Sequence, residues 1–254
     1  MTRTPGTILL QPSGSAMVGT VWKQNSDTAV ILLDKVSFGY DGRETLSGLT
    51  AEIEPGSFHF LTGPSGAGKT TLMKLLYLEL MPTRGQFQLF GDNPAKLDPP
   101  RIARLRRRIG VVFQDFRLLE HLNVLQNIAL PLRAAGKQVD EHGEDIMDLV
   151  RWVGLEHRAT AHPPQLSAGE KQRAAIARAV INSPDLILAD EPTGNIDPEM
   201  GARILRLLVE LNRLGKTIVL ATHDLGMIRS TKGSVEARIL RLADGHLAQG
   251  ASVL

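Results

Sequence analysis

The sequence predicts an α/β fold, in which a mostly parallel sheet with flanking helices carries an N-terminal antiparallel β part and an inserted helical lobe. From residue 170 onward, helical and strand-like segments alternate, and this order indicates parallel strands joined by crossover helices. Two of these strands, 186–189 and 218–221, are apolar throughout, as expected of strands buried on both faces. Residues at about 99–168 are mostly helical, and we expect them to form the inserted lobe.

The elements before the lobe follow from local patterns. Residues 1–28 are rich in Thr, Ser, Gly, Pro and Gln, which is typical of a flexible N-terminal extension. Ordered structure is expected to begin at residue 30 with strand-like runs, and Asp41-Gly42 predicts a turn between two of them. A further strand is predicted at 86–90, where Gly91 and the residues after it end the run.

The elements from the lobe onward are predicted from apolar periodicity. The helices are expected at about 123–134, 141–153, 171–181 and 202–211, and the strands at 109–113, 186–190 and 217–222. A last pair of strands, 237–242 and 246–249, flanks the turn Ala243-Asp244-Gly245 and predicts a hairpin.

Composition excludes several classes of protein. With 29 Lys and Arg against 27 Asp and Glu, the net charge of +2 does not suggest a nucleic-acid-binding protein. The absence of cysteine excludes disulfides and thiolate metal sites, which fits a reducing cytoplasm. No apolar stretch approaches the ~18 to 20 residues that span a bilayer, and the first residues lack the apolar core of a signal peptide. We therefore expect a soluble protein.

Residues 63–70 read Gly-Pro-Ser-Gly-Ala-Gly-Lys-Thr, a complete match to the phosphate-binding loop pattern G-x-x-x-x-G-K-[ST]. A strand-like run at 58–62 precedes the loop and a helical pattern at 71–77 follows it, which is the context that the motif requires. Glycines allow the backbone to turn tightly around phosphate oxygens, Lys69 adds a positive charge at the β- and γ-phosphates, and the Thr70 hydroxyl can ligate Mg²⁺. A glycine-rich turn without a nucleotide is the alternative, which the Gly-Lys-Thr ending disfavours.

The sequence thus predicts a P-loop NTPase core that binds a nucleoside triphosphate. The loop residues expected to contact the nucleotide are Gly63, Pro64, Ser65, Gly66, Ala67, Gly68, Lys69, Thr70 and Thr71.

Two adjacent acids, Asp190 and Glu191, stand at the end of the apolar strand 186–189. Ligands of parallel sheets bind beyond the carboxyl ends of strands, where paired acids meet a cation or a reacting water. We expect Asp190 to hold Mg²⁺, directly or through water, and Glu191 to polarise the attacking water as general base. A solvated acidic turn is the alternative, and the P-loop upstream favours the functional interpretation.

Residues 166–170 read Leu-Ser-Ala-Gly-Glu and open a predicted helix, in which Ser167 is a natural N-cap at the positive end of the dipole. Taken alone, the segment is an ordinary capped helix. Its position, with Ser167 standing 23 residues before Asp190, favours a functional loop instead.

With these motifs in this order, the chain resembles the ATP-binding subunits of ABC transporters over roughly residues 30–250. The resemblance identifies 63–70 as the Walker A loop, 166–170 as the signature, and 186–190 with Glu191 as Walker B and base. It further identifies Tyr40 as the adenine-stacking residue, Gln114 as the Q-loop glutamine, Asn195-Ile196-Asp197 as the D-loop and His223 as the switch histidine. Individually, Tyr40, Gln114 and His223 are weak signals.

The resemblance implies an ATPase that works as a head-to-tail homodimer in its ATP-bound state. ATP and Mg²⁺ would be its cofactors, and residues 29–254 its ATP-binding domain. Ser167 and Gly169 would contact the γ-phosphate held by the other subunit, while Asp197 would cross the interface. Gln114 and His223 would join Glu191 as catalytic residues, and the metal would be held by Thr70, Gln114 and Asp190.

Two segments narrow the resemblance to a branch of the family. Gly194-Asn195 is typical of a group that contains lipoprotein-release, macrolide-efflux and cell-division ATPases, and residues 108–119 are especially similar to the cell-division type. That type implies an integral membrane permease-like partner, a peripheral location on the cytoplasmic face of the inner membrane, and no nucleic-acid partner. A lipoprotein-release or macrolide-efflux exporter is the alternative. A soluble ABC protein acting on DNA or ribosomes and an ATP-gated scaffold are the competing functions. A small-molecule kinase with a P-loop is a further alternative, which would leave residues 166–170 and His223 unexplained.

Two further features stay open. Ala168 stands where the family usually has Gly, and the methyl group would cost about 1–3 kcal/mol if this position required a positive φ. Five arginines between residues 101 and 108 could contact anionic lipid or a membrane partner, or form a solvated helix face.

Overall fold

The computed structural model describes residues 29–194, 196–248 and the backbone of 252–253. Its N-terminal part is an antiparallel sheet in the order β2-β1-β4, made of β1 (Ile31–Tyr40), β2 (Arg43–Ile53) and β4 (Arg84–Leu89). Asp41 and Gly42, with φ of 47° and 79°, form the turn between β1 and β2. The predicted antiparallel part is thus confirmed. The predicted flexible extension, residues 1–28, lies outside the described residues.

The central sheet has the order β10-β8-β3-β7-β6-β5. Its strands are β3 (Phe58–Thr62), β5 (Ile109–Val112), β6 (Leu186–Asp190), β7 (Thr217–Ala221), β8 (Ala237–Ala243) and β10 (Ser252–Val253). The pairs from β8 through β5 are parallel, and β10 adds to β8 antiparallel. A short strand, β9 (His246–Leu247), pairs with β8 as the predicted hairpin, whose last predicted residue, Gln249, lies outside the described part.

Seven α-helices lie in the described ranges: α1 (Lys69–Leu76), α2 (Pro99–Arg107), α3 (Val124–Ala134), α4 (Gly143–Trp152), α5 (Ala168–Val180), α6 (Pro198–Arg213) and α7 (Leu225–Ser230). Side-chain caps fix several of their starts. Asp197 accepts a hydrogen bond from the N–H of Met200, so α6 begins at Pro198 and not at the predicted residue 202. The short helix α7 was not predicted. The division into a core and an inserted lobe stays a prediction.

The central sheet is buried on both faces. Alternate residues of β6 point to opposite sides: Leu186 and Leu188 join the core beneath the antiparallel sheet and α1, whereas Ile187 and Ala189 join the core formed with α3 to α6. Residues 218–221 of β7 divide in the same way. This burial explains why both strands are apolar throughout, since each fully buried aliphatic side chain contributes about 1.5–3 kcal/mol.

His59 is a polar exception in this core. It lies on β3, is 1% exposed, and its Nε2 is 3.0 Å from the Ser57 hydroxyl, whereas Nδ1 has no hydrogen-bond partner among the described residues. Burial, assisted by the positive charge of Arg238 and opposed by Glu54, lowers the pKa of His59 to about 4. The imidazole is therefore neutral in the folded chain at neutral pH.

His59 should make the fold sensitive to acid. Between pH 6.5 and about 4, the unfolded chain binds a proton on this imidazole that the folded chain does not, so stability decreases as pH falls through this range. The shift corresponds to about 3 kcal/mol. Urea unfolding across this range should show a smaller pH slope for His59→Leu than for the wild type, whereas the exposed-site control His246→Gln should keep the slope. Equal slopes in all three proteins would contradict the assignment.

Candidate functional site

The predicted site residues follow adjacent parallel strands. The loop 63–70 follows β3, His223 follows β7, Asp190 ends β6, and Gln114 follows β5. Because these four strands are neighbours in the order β3-β7-β6-β5 and run in one direction, their carboxyl ends lie along one edge of the sheet. The fold therefore brings together residues that are up to 160 positions apart in the sequence.

The loop 63–70 depends on glycine at two packed positions. Gly63 has a φ of 152°, and a Cβ atom there would lie 2.0 Å from the carbonyl oxygen of Leu242. Gly68 has a φ of 102°, and its Cβ would lie 2.7 Å from Cδ2 of Leu46. At Gly66, in contrast, a Cβ would meet nothing within 4 Å, so this part of the loop faces open space. The outer side of the loop is accessible to a ligand.

The start of α1 presents uncompensated donors to that space. Its N-cap, Gly68, has no capping side chain, and no described residue accepts a hydrogen bond from the N–H groups of Lys69, Thr70 or Thr71. The Lys69 ammonium donates to the carbonyl oxygens of Gly63 and Pro64, at 2.8 and 3.0 Å, and is held inside the loop. Free N–H groups, a helix dipole and a lysine at one point form an arrangement that binds phosphate.

Asp190 lies against this helix start. The Thr70 hydroxyl lies close enough to its carboxylate to favour the charged form. Burial, together with the nearby Glu191, raises the pKa of Asp190 above its usual range, although Thr70 and Lys69 act in the opposite direction. A half-buried carboxylate beside a hydroxyl fits a divalent cation that also takes phosphate oxygens, as Mg²⁺ does in nucleotide sites. Within the described ranges, no group of three or more His, Asp or Glu forms a metal cage made of protein ligands alone.

Glu191 is held in an unusual backbone conformation. Its φ is 45°, in the left-handed region that costs a non-glycine residue about 1–3 kcal/mol, and its N–H donates to the carbonyl of Ala221 at 2.9 Å. One carboxylate oxygen is 2.8 Å from Nδ1 of His223. The Glu191 side chain is only 12% exposed, whereas that of His223 is 71% exposed. The strained turn thus aims a carboxylate into the site and a histidine covers it.

Gln114 and the segment after Glu191 complete this part of the site. A Cβ on Gly194 would lie 3.6 Å from the Gln114 amide nitrogen and 3.7 Å from Cβ of Glu191. Gln114 and Glu191 therefore flank the same glycine. Of the predicted D-loop, Asn195 lies outside the described residues, and the carboxylate of Asp197 caps α6. The predicted interface role of Asp197 stays a prediction.

A residue that the sequence patterns did not reveal holds the backbone after Gln114. Phe116 and Arg117 both have a positive φ, 60° and 48°, and the half-buried guanidinium of Arg178 donates to both of their carbonyl oxygens, at 2.6 Å for Phe116. Burial lowers the pKa of Arg178 to about 10, in part offset by Asp115. An arginine within the apolar run 174–180 of α5 was the available signal.

Removing this guanidinium should slow the reaction more than it weakens ATP binding. In Arg178→Met, two carbonyl groups in left-handed residues lose their donors, at about 1–3 kcal/mol each, and the segment after Gln114 can relax. We expect kcat to fall about tenfold or more with little change in KM for ATP. Arg178→Lys should restore part of kcat, because one ammonium can still serve one carbonyl. If kcat falls only in proportion to the folded fraction measured by circular dichroism, Arg178 has no positioning role.

The segment 166–170 is a capped helix start, as predicted. The Ser167 hydroxyl accepts from the N–H of Glu170 at 3.3 Å, and Glu170 accepts from the N–H of Ser167 at 2.8 Å. Ala168 is the first residue of α5 and has no positive φ, so the strain that its methyl group would cause in a left-handed conformation does not arise. A Cβ on Gly169 would lie 2.7 Å from Cγ of Met200, which explains the glycine.

Two predicted nucleotide-binding features, the segment 166–170 and Tyr40, lie outside the P-loop region of the chain. Among the described residues, no hydrogen bond or ion pair connects 166–170 with 63–71. Tyr40, at the end of β1, is 43% exposed, and its ring packs edge-to-face on Phe38 with centroids 4.9 Å apart. An exposed aromatic face of this kind is free to stack on a planar ligand.

A family model described as ABC transporter matches residues 46–194, more than half of the chain. The chain belongs to the ABC transporter family. It is therefore an ATPase of the ABC type, and the family resemblance inferred from the motifs is confirmed. The matched segment contains the loop 63–70, Gln114, the signature 166–170 and the acid pair at the end of β6.

Curated relatives match most of the chain. The cell division ATP-binding protein FtsE of Escherichia coli strain K12 is 43% identical over 222 residues, which are 87% of this chain and 98% of that protein. FtsE of Bacillus subtilis strain 168 is 40% identical over 212 residues, 84% of this chain and 91% of that protein. The chain is thus homologous to FtsE.

A solved structure supports the predicted fold and shows a dimer of a related cassette. The ATP-binding cassette MJ0796, in a dimeric post-hydrolysis state bound to ADP and Pi, has a TM-score of 0.78 and 34% identity, and the match covers 88% of this chain and 98% of that chain. The predicted P-loop α/β core is confirmed by this likeness, and cassettes of this family form dimers. No helix in the described part of this chain is both long and apolar enough to cross a membrane.

Proposed function

We propose that the chain is the ATP-binding and ATP-hydrolysing subunit of a cell-division complex on the cytoplasmic face of the inner membrane. In this complex it works with an integral membrane subunit of the FtsX type and couples ATP cycling to cell-wall remodelling at the septum. One observation supports the proposed ATP hydrolysis: the P-loop, the Thr70–Asp190 pair and the Glu191–His223 pair converge at one edge of the sheet. Homology to FtsE over most of the chain supports the biological part.

ATP is held by backbone donors and a few side chains. The N–H groups at the start of α1 and the Lys69 ammonium bind the β- and γ-phosphates, and the exposed ring of Tyr40 stacks on adenine. Thr70 and Asp190 would hold Mg²⁺, with Gln114 beside it. When bound, this ion neutralises charge on the phosphates.

Hydrolysis uses the buried carboxylate of Glu191. It accepts a proton from a water whose oxygen attacks the γ-phosphorus, while the bond between that phosphorus and the bridging oxygen of ADP breaks. The His223 ring donates from Nδ1 to the Glu191 carboxylate, and when its Nε2 also carries a proton it can donate to an oxygen of the γ-phosphate. Arg178 fixes the backbone that follows Gln114, so the glutamine keeps its position beside the water.

Two copies of the chain form each complete site. The N-terminus of α5, with Ser167 exposed and Gly169 behind it, is a second anion-binding helix start, yet it has no polar contact with the P-loop in its own chain. In a head-to-tail dimer, Ser167 and Gly169 of one subunit approach the γ-phosphate held by the other. The dimeric MJ0796 cassette supports this arrangement. The ATP-binding domain spans residues 29–254, with the helical lobe at about 99–168.

The membrane subunit has a suitable docking site next to Gln114. A groove of about 450 Å³ lies between α2, β5 and the ends of α3 and α5. Its lining combines apolar residues, among them Val111, Pro131 and Ala134, with four arginines. Two residues connect the groove with the segment after Gln114. Arg117 belongs to that segment, Arg178 donates a hydrogen bond to it, and both line the groove. A change at the γ-phosphate can therefore reach a subunit docked in the groove.

Co-purification tests this function. Tagged wild-type chain, extracted in mild detergent from its native membranes, should carry an integral membrane subunit with it. The groove variant Ala103→Trp should recover much less of that subunit, whereas Ala202→Trp on the exposed face of α6 should recover as much as the wild type. Depletion of the chain should block septation, and Lys69→Ala should not restore it. Recovery of no membrane subunit by the wild type would contradict the proposed function.

A further inference from the structure

We propose that the outer face of α2 binds anionic lipid headgroups beside the docked membrane subunit. We call this face, made of Arg101, Arg104 and Arg107, the α2 basic surface. The inference rests on the proposed function, because it takes the groove between α2 and α3 as the side that faces the bilayer. It adds a direct contact between the ATPase and the lipid, which neither catalysis nor docking of the subunit requires.

The charges of this surface are not used within the chain. Arg106 donates to the carbonyl of Leu78, and Arg108 pairs with Asp185 at 2.6 Å and stacks on Phe90. These two arginines anchor the helix. Arg104 and Arg107 are exposed and form no hydrogen bond or ion pair with any described residue, and Arg101 is only within 4.0 Å of Asp98. Three cationic side chains on one helix are therefore free to bind an external anion.

The positive charge is local. Residues 101–108 contain five arginines and no acid, while the whole chain has a net charge of only +2, so the remaining residues have a net charge of −3. The small net charge of the chain would attract it only weakly to an anionic membrane and would not orient it. The α2 basic surface would orient it, because electrostatic attraction acts only within a Debye length, which is about 10 Å at 0.1 M salt.

The position of the surface indicates a membrane. At about 100° per residue, Arg107 lies on the side of α2 opposite the buried Leu105 and Arg104 lies on its flank, whereas Arg101 is one turn before Leu105 and is exposed at the start of the helix. Ala103 and Arg107 line one wall of the groove, and the opposite wall ends at Ala134 of α3. Next to Ala134 the exposed Arg133 and Lys137 add positive charge on that side as well. Both rims of the docking groove are thus basic, as expected of a face that a docked membrane subunit holds against the cytoplasmic leaflet.

Lipid fits this surface better than an acidic segment of a protein. Arg101 and Arg104 lie outside the groove and Arg107 stands at its border, whereas a bound peptide would need a concave site such as the groove itself. A planar array of phosphodiesters needs no pocket, and guanidinium groups bind phosphate oxygens in a bidentate manner. Each arginine near an anionic membrane contributes about a fivefold increase in partition.

Vesicle flotation with the purified full chain, without nucleotide or membrane subunit, tests the proposal. The chain should float with vesicles of phosphatidylcholine and phosphatidylglycerol but not with phosphatidylcholine alone, and high salt should release it. Arg101→Gln/Arg104→Gln should lower the partition coefficient about thirtyfold, since two arginines are lost. The matched control Arg203→Gln/Arg206→Gln removes the same charge from exposed positions of α6 and should bind as the wild type does.

Equal binding by the two double variants, or equal binding to both kinds of vesicle, would overturn the proposal. So would a double variant that floats normally but no longer co-purifies with the membrane subunit, since α2 would then contact that protein. The proposed function stands in all these cases, because it is tested by recovery of the membrane subunit and not by flotation.

Discussion

Glu191→Gln should lower ATP turnover by about a hundredfold or more while ATP still binds, because a glutamine at this position cannot accept the proton of the attacking water. The Glu191 side chain is nearly buried, and its strained backbone aims it into the site. The γ-phosphate contacts that join two subunits would then persist. Size-exclusion chromatography with ATP should detect a stable dimer of this variant.

The matched control is Glu199→Gln, which changes an exposed acid at the start of α6 that pairs with Arg203. It should hydrolyse ATP as the wild type does and should not accumulate a dimer. Hydrolysis by Glu191→Gln at the wild-type rate would show that another group acts as the base.

Lys69→Ala should abolish useful ATP binding, with a loss of affinity of about a hundredfold or more. The ammonium is held inside the loop by the carbonyls of Gly63 and Pro64, at the point where the free N–H groups of α1 converge. Without it, these donors alone face the charge of the triphosphate. Isothermal titration calorimetry measures the affinity.

Lys74→Ala is the control for that experiment. It removes a lysine from the last turn of the same helix, where the ammonium pairs with Glu79 at 3.1 Å outside the loop. Its affinity for ATP should stay close to that of the wild type. Similar losses in both variants would mean that the change acts through the stability of α1 and not through the phosphate site.

Structural features that depend on a few neighbouring residues could be predicted from the sequence. The apolar strands β6 and β7, the turn at Asp41-Gly42 and the loop 63–70 each have their cause within a few neighbouring residues. Ser167 was predicted as an N-cap for the same reason, since the hydroxyl bonds to a group three residues on. The parallel direction of the strands was predicted from the alternation of helices and strands, whereas their order in the sheet was not.

The remaining features depend on contacts between distant residues. Arg178 fixes carbonyls 61 and 62 positions away, and nothing near it in the sequence reveals that partner. The left-handed conformation of Glu191 is maintained by a bond to Ala221 on the next strand. Burial of His59 likewise comes from its position between β7 and β8, since its neighbours in the sequence are typical of any strand.

Mixing two inactive variants tests most directly that the site is shared between subunits. Lys69→Ala damages the P-loop, and Ser167→Asp places a carboxylate against the γ-phosphate while keeping a good N-cap on α5. Each variant alone should be inactive. An equal mixture should recover about a quarter of the wild-type rate, because half of its dimers pair an intact P-loop with an intact signature from the other subunit. A mixture as inactive as its components, or a Ser167→Asp protein with full activity that is independent of protein concentration, would contradict the shared site.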